Sequence, residues 1–341
     1  MKELPNLDFI RAMAVVSVVF EHVLIAHGTY KLGQFEVAWI GVVGVFVFFV
    51  HTALVLMWSL ERRPHTLDFY IRRVFRIYPL AIVAIIVALL FHAPVAGTAE
   101  TFFQAAPRTL DVVIPNLLLL HNLIMAPPIV SVMWTLPLEV EMYILLPMLF
   151  FFIRRNFSLW PLFVLWVLAV LCSLQTDPLA QNLVVAIPYF LCGIMAYVGF
   201  ARRKAILPAW LLPVALIVFA LLFLVHPTFR GGWILCLEVG LTLPLFRQIR
   251  SVALIRWTHE IAKYSYGIYL AHPFGIVVGI YLMPNRPFAV QVAVILVSTA
   301  AFAVAGYHLI EHPMIRLGAR LAGRAERRYE QRELAHFRVP K

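Results

Sequence analysis

The chain has 341 residues, 62% of them hydrophobic and only 13% charged, with a formal net charge of +11 and a mean hydropathy of +0.89. A soluble domain carries about 25% charged residues, which this composition excludes; continuous apolar runs without polar–apolar alternation likewise exclude a transmembrane β-barrel. What remains is an all-α, polytopic membrane protein whose first partner is the lipid bilayer.

Ten apolar segments read as spans, at roughly 8–27, 37–59, 77–93, 134–153, 159–175, 182–200, 208–225, 232–247, 264–282 and 288–314. Residues 110–124, "LDVVIPNLLLLHNLI", are too short and too broken by Pro115 for a span and read as re-entrant or interfacial. With the N-terminus inside, 24 of the 28 Lys and Arg residues fall on the inner side, leaving Lys31, Arg108, Arg230 and Arg286 outside. This positive-inside bias places both termini in the cytoplasm of a plasma (bacterial inner) membrane. The net charge is therefore mostly topology, and no nucleic-acid partner follows from it. The N-terminus has scattered charges and no small-residue cleavage site, so it does not read as a removable signal. The expected organisation is a membrane-embedded domain over 1–315 and a basic cytoplasmic tail over 316–341.

In the first span, Arg11 and His22 are eleven residues apart. At 100° per residue they lie within about 20° of one face, roughly 16 Å apart along the axis. Asp8 sits about 40° from His22 by the same reckoning. Ionisable groups inside a membrane are expensive and face an interior or a cavity. Glu21 points about 100° away from His22, either to a neighbouring helix or into a separate pocket. In "FYIRRVFRIYPL", residues 69–80, Arg73 and Arg76 share one side of a turn with Arg72 beside them. A stop-transfer cluster explains such charges; forked guanidinium donors also suit phosphate oxygens.

In "SVMWTLPLEVEMYILLP", residues 131–147, Glu139 and Tyr143 share a face and Glu141 points elsewhere. In "AKYSYGIYLAHP", residues 262–273, Ser265, Tyr269 and His272 form a polar stripe. His272 before Pro273 also suits an imidazole bonded to a carbonyl freed at a kink. Glu311, in "YHLIEHP", reads first as an ion-pair partner of a nearby arginine. Cys172, Cys192 and Cys236 have no paired spacing, so neither a disulfide framework nor a metal site is expected. Phosphate-loop, nucleophile-elbow and zinc-helix motifs are absent from the sequence.

Six of these stretches, in order, resemble the acyltransferase-3 family of integral-membrane acyltransferases. "LDFIRAMAVVSVVFEH" is similar to its opening, "IGVVGVFVFFVHTALVL" to its second span, and "RRVFRIYP" to its Arg-x-x-Arg-x-x-Pro motif. "WTLPLEVEMYILLP", "YSYGIYLAHP" and "IEHP" resemble the later motifs, so the likeness runs over residues 4–315. Thr135 stands where serine is usual, Met142 where phenylalanine is usual, and "FVHTALVL" brings His51 into a membrane position.

The resemblance implies transfer of an acyl group, usually acetyl from acetyl-CoA, to a hydroxyl of a cell-surface glycan, a lipid or a small natural product. It implies that His22 is the essential histidine and that Arg73 and Arg76 are the essential arginines, with Arg11, Glu139 and Ser265 as further matches. The expected site has His22 and Glu139 as catalytic groups. Arg11, Arg72, Arg73, Arg76 and Ser265 bind the acyl-CoA, and no metal takes part. General-base attack by the acceptor hydroxyl is the expected chemistry, with an acyl-histidine intermediate as the second route. A proton-coupled transporter, which also buries His and Glu in the membrane, is the alternative class.

Overall fold

A computed structural model describes residues 4–97, 103–155, 158–177 and 182–337. Its first helix, α1 (Pro5–Ala26), begins with proline in the first turn, where the missing N–H is no loss, and Asp8 faces the positive helix end. Gly28, at φ +86°, turns the chain out of α1 into a small hairpin of β1 (Lys31–Leu32) and β2 (Phe35–Glu36). There follow α2 (Ala38–Arg62), α3 (Thr66–Leu90), the short α4 (Leu110–Leu117) and α5 (Leu136–Arg155). Then come α6 (Leu159–Ser173), α7 (Leu183–Arg202), α8 (Leu211–Val225), α9 (Gly232–Thr242), α10 (Val252–Ile276), α11 (Phe288–Gly306) and α12 (His312–Phe337). Asn182 caps α7 by accepting from the Val185 N–H at 3.1 Å.

Among the described residues six helical stretches are long and apolar enough to cross a membrane: 5–26, 38–62, 66–90, 131–154, 183–202 and 288–325. The stretches 159–173, 211–225 and 232–245 are apolar but shorter. Two helices start well before the apolar runs that announce them. α3 begins at Thr66 rather than near 77, and α10 at Val252 rather than near 264. Charged residues open both helices, and hydropathy does not register a helix turn that carries charge. The arginines of 72–76 consequently sit inside α3, flanked by helix on both sides. The 110–124 stretch is broken into α4 and a 3₁₀ turn, His121–Ile124, with Leu119 at φ +54° between them.

Two π-helical turns interrupt the C-terminal part. Val277–Tyr281 extends α10, and Tyr307–Glu311 joins α11 to α12. Each widens one turn and rotates the residues after it, a device often found at functional sites.

α1 packs against α2 and α10, α2 against α7, α7 against α6 and α9, and α3 against α12. Small residues let the backbones approach. A Cβ at Gly41 of α2 would meet the Glu21 carboxylate of α1, and one at Gly193 of α7 would meet the Val50 carbonyl of α2. Val50, Ala53, Leu54 and Met57 of α2 are fully buried at that crossing. Gly193→Leu therefore has to push two backbones apart, an overpacking penalty of about 1–3 kcal/mol. It should lower the thermal midpoint of the detergent-solubilised protein by more than Gly28→Asn, which meets no neighbouring atom and bears only the strain of a positive φ that asparagine tolerates better than most residues.

Candidate active site

Three arginines from two helices meet in one cavity. Arg11 of α1 and Arg73 and Arg76 of α3 line a space of about 130 Å³ together with Glu139 and Tyr143 of α5. His51 and Thr52 of α2 and Ser265, Tyr266 and Tyr269 of α10 complete its polar wall, and Phe48, Phe49, Leu56 and Ile77 its apolar one. Five of the seven residues expected from the sequence thus share one cavity: Arg11, Arg73, Arg76, Glu139 and Ser265.

Each guanidinium is held differently. The Arg11 Nε–H donates to Ser265 Oγ at 2.6 Å, while Ser265 donates its own hydrogen to the Ala262 carbonyl at 2.8 Å. Ser265 therefore orients Arg11. Arg76 pairs with Glu311, a buried carboxylate that the π turn at Tyr307–Glu311 turns toward α3. Arg73 lies over the Phe69 ring at 5.7 Å, and its buried Nε has no hydrogen-bond partner among the described residues. Arg72 is not among the lining residues. It closes on Asp68 one turn earlier, at 2.7 Å, because i and i+4 share a helix face. Asp8, one turn before Arg11 on α1, meets His259 of α10 at 2.8 Å. Glu139 shares the cavity with Thr52 and lies within the field of Arg11, Arg73 and Arg76.

His22 lies outside the residues that line this cavity and forms a second polar centre. Its Nδ1 contacts the Val18 carbonyl at 2.9 Å and pairs with the buried Glu21 carboxylate. A carbonyl only accepts, so Nδ1 carries a hydrogen. That is the arrangement of a general base oriented by an acid. Gly41 leaves the room that Glu21 occupies. The His272 ring stands edge-on to that of His22, with centroids 4.9 Å apart.

Tyr269 belongs to both neighbourhoods. It lines the arginine cavity, and its ring lies 6.1 Å from that of His272. Its hydroxyl donates to the Val132 carbonyl, so the contact with Thr135 Oγ1 at 2.8 Å is a bond donated by threonine. These bonds hold Tyr269 in place at the end of the cavity nearer the two imidazoles. The eleven-residue spacing on α1 put Arg11 and His22 on one face, yet of the two only Arg11 lines the cavity. Tyr269 as the element shared by both centres could be found only by bringing α10 against Val132 and Thr135.

These features define a class: an all-α protein of apolar helices that encloses a cationic cavity and a nearby acid-oriented imidazole. Residues 4–308 match the model of a family described as an acyltransferase domain, and the chain belongs to that family. It is also similar to the acyltransferase MdmB of Streptomyces mycarofaciens, at 26% identity over 166 residues. That alignment covers 45% of this chain and 40% of MdmB, so the chain spans about two-fifths of the length of the curated relative it matches. No solved structure matches the chain.

The Arg76–Glu311 pair yields a direct test. Removing one partner of a buried pair strands the other charge, a loss of about 3–5 kcal/mol, whereas an apolar replacement of both is much milder. Glu311→Ala should lower the denaturation midpoint markedly, and the double variant Arg76→Met/Glu311→Leu should recover most of that loss.

Proposed function

We propose that the protein transfers an acyl group, acetyl in the first instance, from acyl-CoA to a hydroxyl of a glycan, lipid or small natural product. The observation that carries this reading is the convergence of Arg11, Arg73 and Arg76 on one cavity beside an acid-oriented histidine. Family membership supports acyl transfer as the reaction type.

The donor enters from the cytoplasmic side, where the basic residues concentrate. Its phosphates lie on the guanidinium groups, with the orphaned Nε of Arg73 as one donor. The cavity is too small for a whole nucleotide, so it takes the pantetheine arm while the adenosine end stays at the mouth. Glu139, Thr52 and Tyr143 present acceptors and donors to the amides of that arm. For the thioester to reach His22, the Tyr269–Thr135 bond opens. Nε2 of His22 then takes the acceptor's hydroxyl proton as its oxygen attacks the acyl carbon. The C–S bond breaks, and the imidazolium returns the proton to the departing CoA thiolate. Glu21 and the Val18 carbonyl hold the ring in the required tautomer throughout. Placement in a water-poor bundle supplies most of the advantage, by orientation and by strengthened electrostatics.

A proton-coupled transporter would use intramembrane His and Glu as well. The arginine cavity favours the enzyme, because a transporter has no need of three phosphate-suited donors in one place. Acetyl-CoA should raise the thermal midpoint of the detergent-solubilised protein; Arg73→Ala should abolish that shift, and His22→Ala should keep it while losing transfer by at least a hundredfold. Mass comparison of glycans and lipids from cells with and without the chain reads the transfer. An absent acetyl-CoA shift together with unaltered glycans and lipids would point to the transporter.

A further inference from the structure

His51 lines the arginine cavity, yet the reaction described above gives it no part. It is buried on α2, and neither ring nitrogen has a hydrogen bond among the described residues. These nitrogens are not sealed in protein as those of His121 are, so a molecule in the cavity can reach them. A neutral imidazole offers one donor and one acceptor. The cavity is rich in donors, because the guanidinium groups of Arg11, Arg73 and Arg76 accept nothing. Hydroxyl oxygens aside, the side-chain acceptors in its wall are the Glu139 carboxylate and one nitrogen of His51.

Helix geometry gives His51 its depth. α1 and α2 run antiparallel, since Gly41 lies against Glu21 and Gly44 against Ser17 and Ala14. Arg11 is ten residues before Glu21, and His51 is ten residues after Gly41. At a rise of about 1.5 Å per residue, both lie about 15 Å from the level of the His22–Glu21 pair. His51 is thus level with Arg11, within the field of that charge, and remote from the base. An acyl-CoA with its phosphates on the guanidinium groups and its thioester at His22 brings the phosphate-proximal half of the pantetheine arm to this level. That half carries a secondary hydroxyl beside the first amide.

Building on the acyl-transfer reading, we propose that His51 is a specificity-determining residue of the donor site. One of its nitrogens accepts a hydrogen bond from the secondary hydroxyl of pantetheine. The cavity thereby distinguishes a CoA thioester from a phosphorylated donor that lacks this hydroxyl. Guanidinium groups read charge, which any nucleotide or acyl phosphate supplies, whereas the hydroxyl belongs to the arm. No bond is made or broken at His51. A site built to bond a hydroxyl is left with an unpaired acceptor when the analogue lacks it, and so rejects that analogue.

Donor analogues separate this role from a structural one. Thermal stabilisation of the detergent-solubilised full chain would be titrated with acetyl-CoA and with acetyl-CoA whose pantetheine hydroxyl is replaced by hydrogen. A third titration would use 3′-phospho-ADP, which has the phosphates and no arm. Wild type should need about tenfold more of the deoxy analogue than of acetyl-CoA, the effect of one lost hydrogen bond at a buried acceptor. His51→Leu should bind acetyl-CoA and the deoxy analogue alike and should keep the wild-type response to the nucleotide. His51→Gln, whose amide oxygen is an acceptor, should retain part of the preference for the hydroxyl. Equal binding of both thioesters by wild type, or an undiminished preference in His51→Leu, would overturn the proposal. So would a loss of nucleotide binding in His51→Leu as large as its loss of acetyl-CoA binding. If neither acetyl-CoA nor the nucleotide stabilises wild type, the donor reading falls first and this one with it. Stabilisation by both, without discrimination against the deoxy analogue, removes this proposal alone.

Discussion

A charge carried into an apolar helix bundle has to be matched inside that bundle, and the polar interior of this protein is arranged around that requirement. Arg76 is matched by Glu311, Arg72 by Asp68, and His22 by Glu21, while Arg11 is steered by Ser265. Each match joins groups whose positions depend on helix packing. Glu311 reaches α3 only because a π turn rotates it there, and Glu21 fits only because Gly41 carries no side chain. Among the described residues, buried side-chain atoms still without a hydrogen-bond partner include the Nε of Arg73 and the Nε2 of His272, together with one carboxylate oxygen each of Glu21, Asp68 and Glu311.

The two polar centres are close but separate. The arginines share a cavity walled by aromatic and aliphatic side chains, and the imidazole pair lies beyond Tyr269. Hydrogen bonds from Thr135 and to Val132 hold Tyr269 through neutral groups alone.

The order of motifs along the chain was enough to recognise the family, and the family match over residues 4–308 agrees with it. The spacing of Arg11 and His22 was readable because a helix converts residue number into angle and height. Arg72 shows where that logic stops. Its neighbours Arg73 and Arg76 line the cavity, while Arg72 is rotated toward Asp68. A run of arginines reveals that cations are concentrated there and leaves open which of them faces inward. The starts of α3 and α10 were hidden for a related reason, since charged turns inside a helix look like loop to hydropathy.

The sequence by itself determined that this is a chain of apolar helices, where ionisable groups enter them, and to which family it belongs. Those properties follow from local transfer energies and short-range periodicity, which each segment carries alone. Tertiary structure alone decided which partner each charge meets, that Tyr269 divides the arginines from the imidazoles, and that His272 stands against His22. Such facts depend on how helices distant in the chain rotate against one another. That rotation is set by glycine contacts and π turns whose effect no single segment contains.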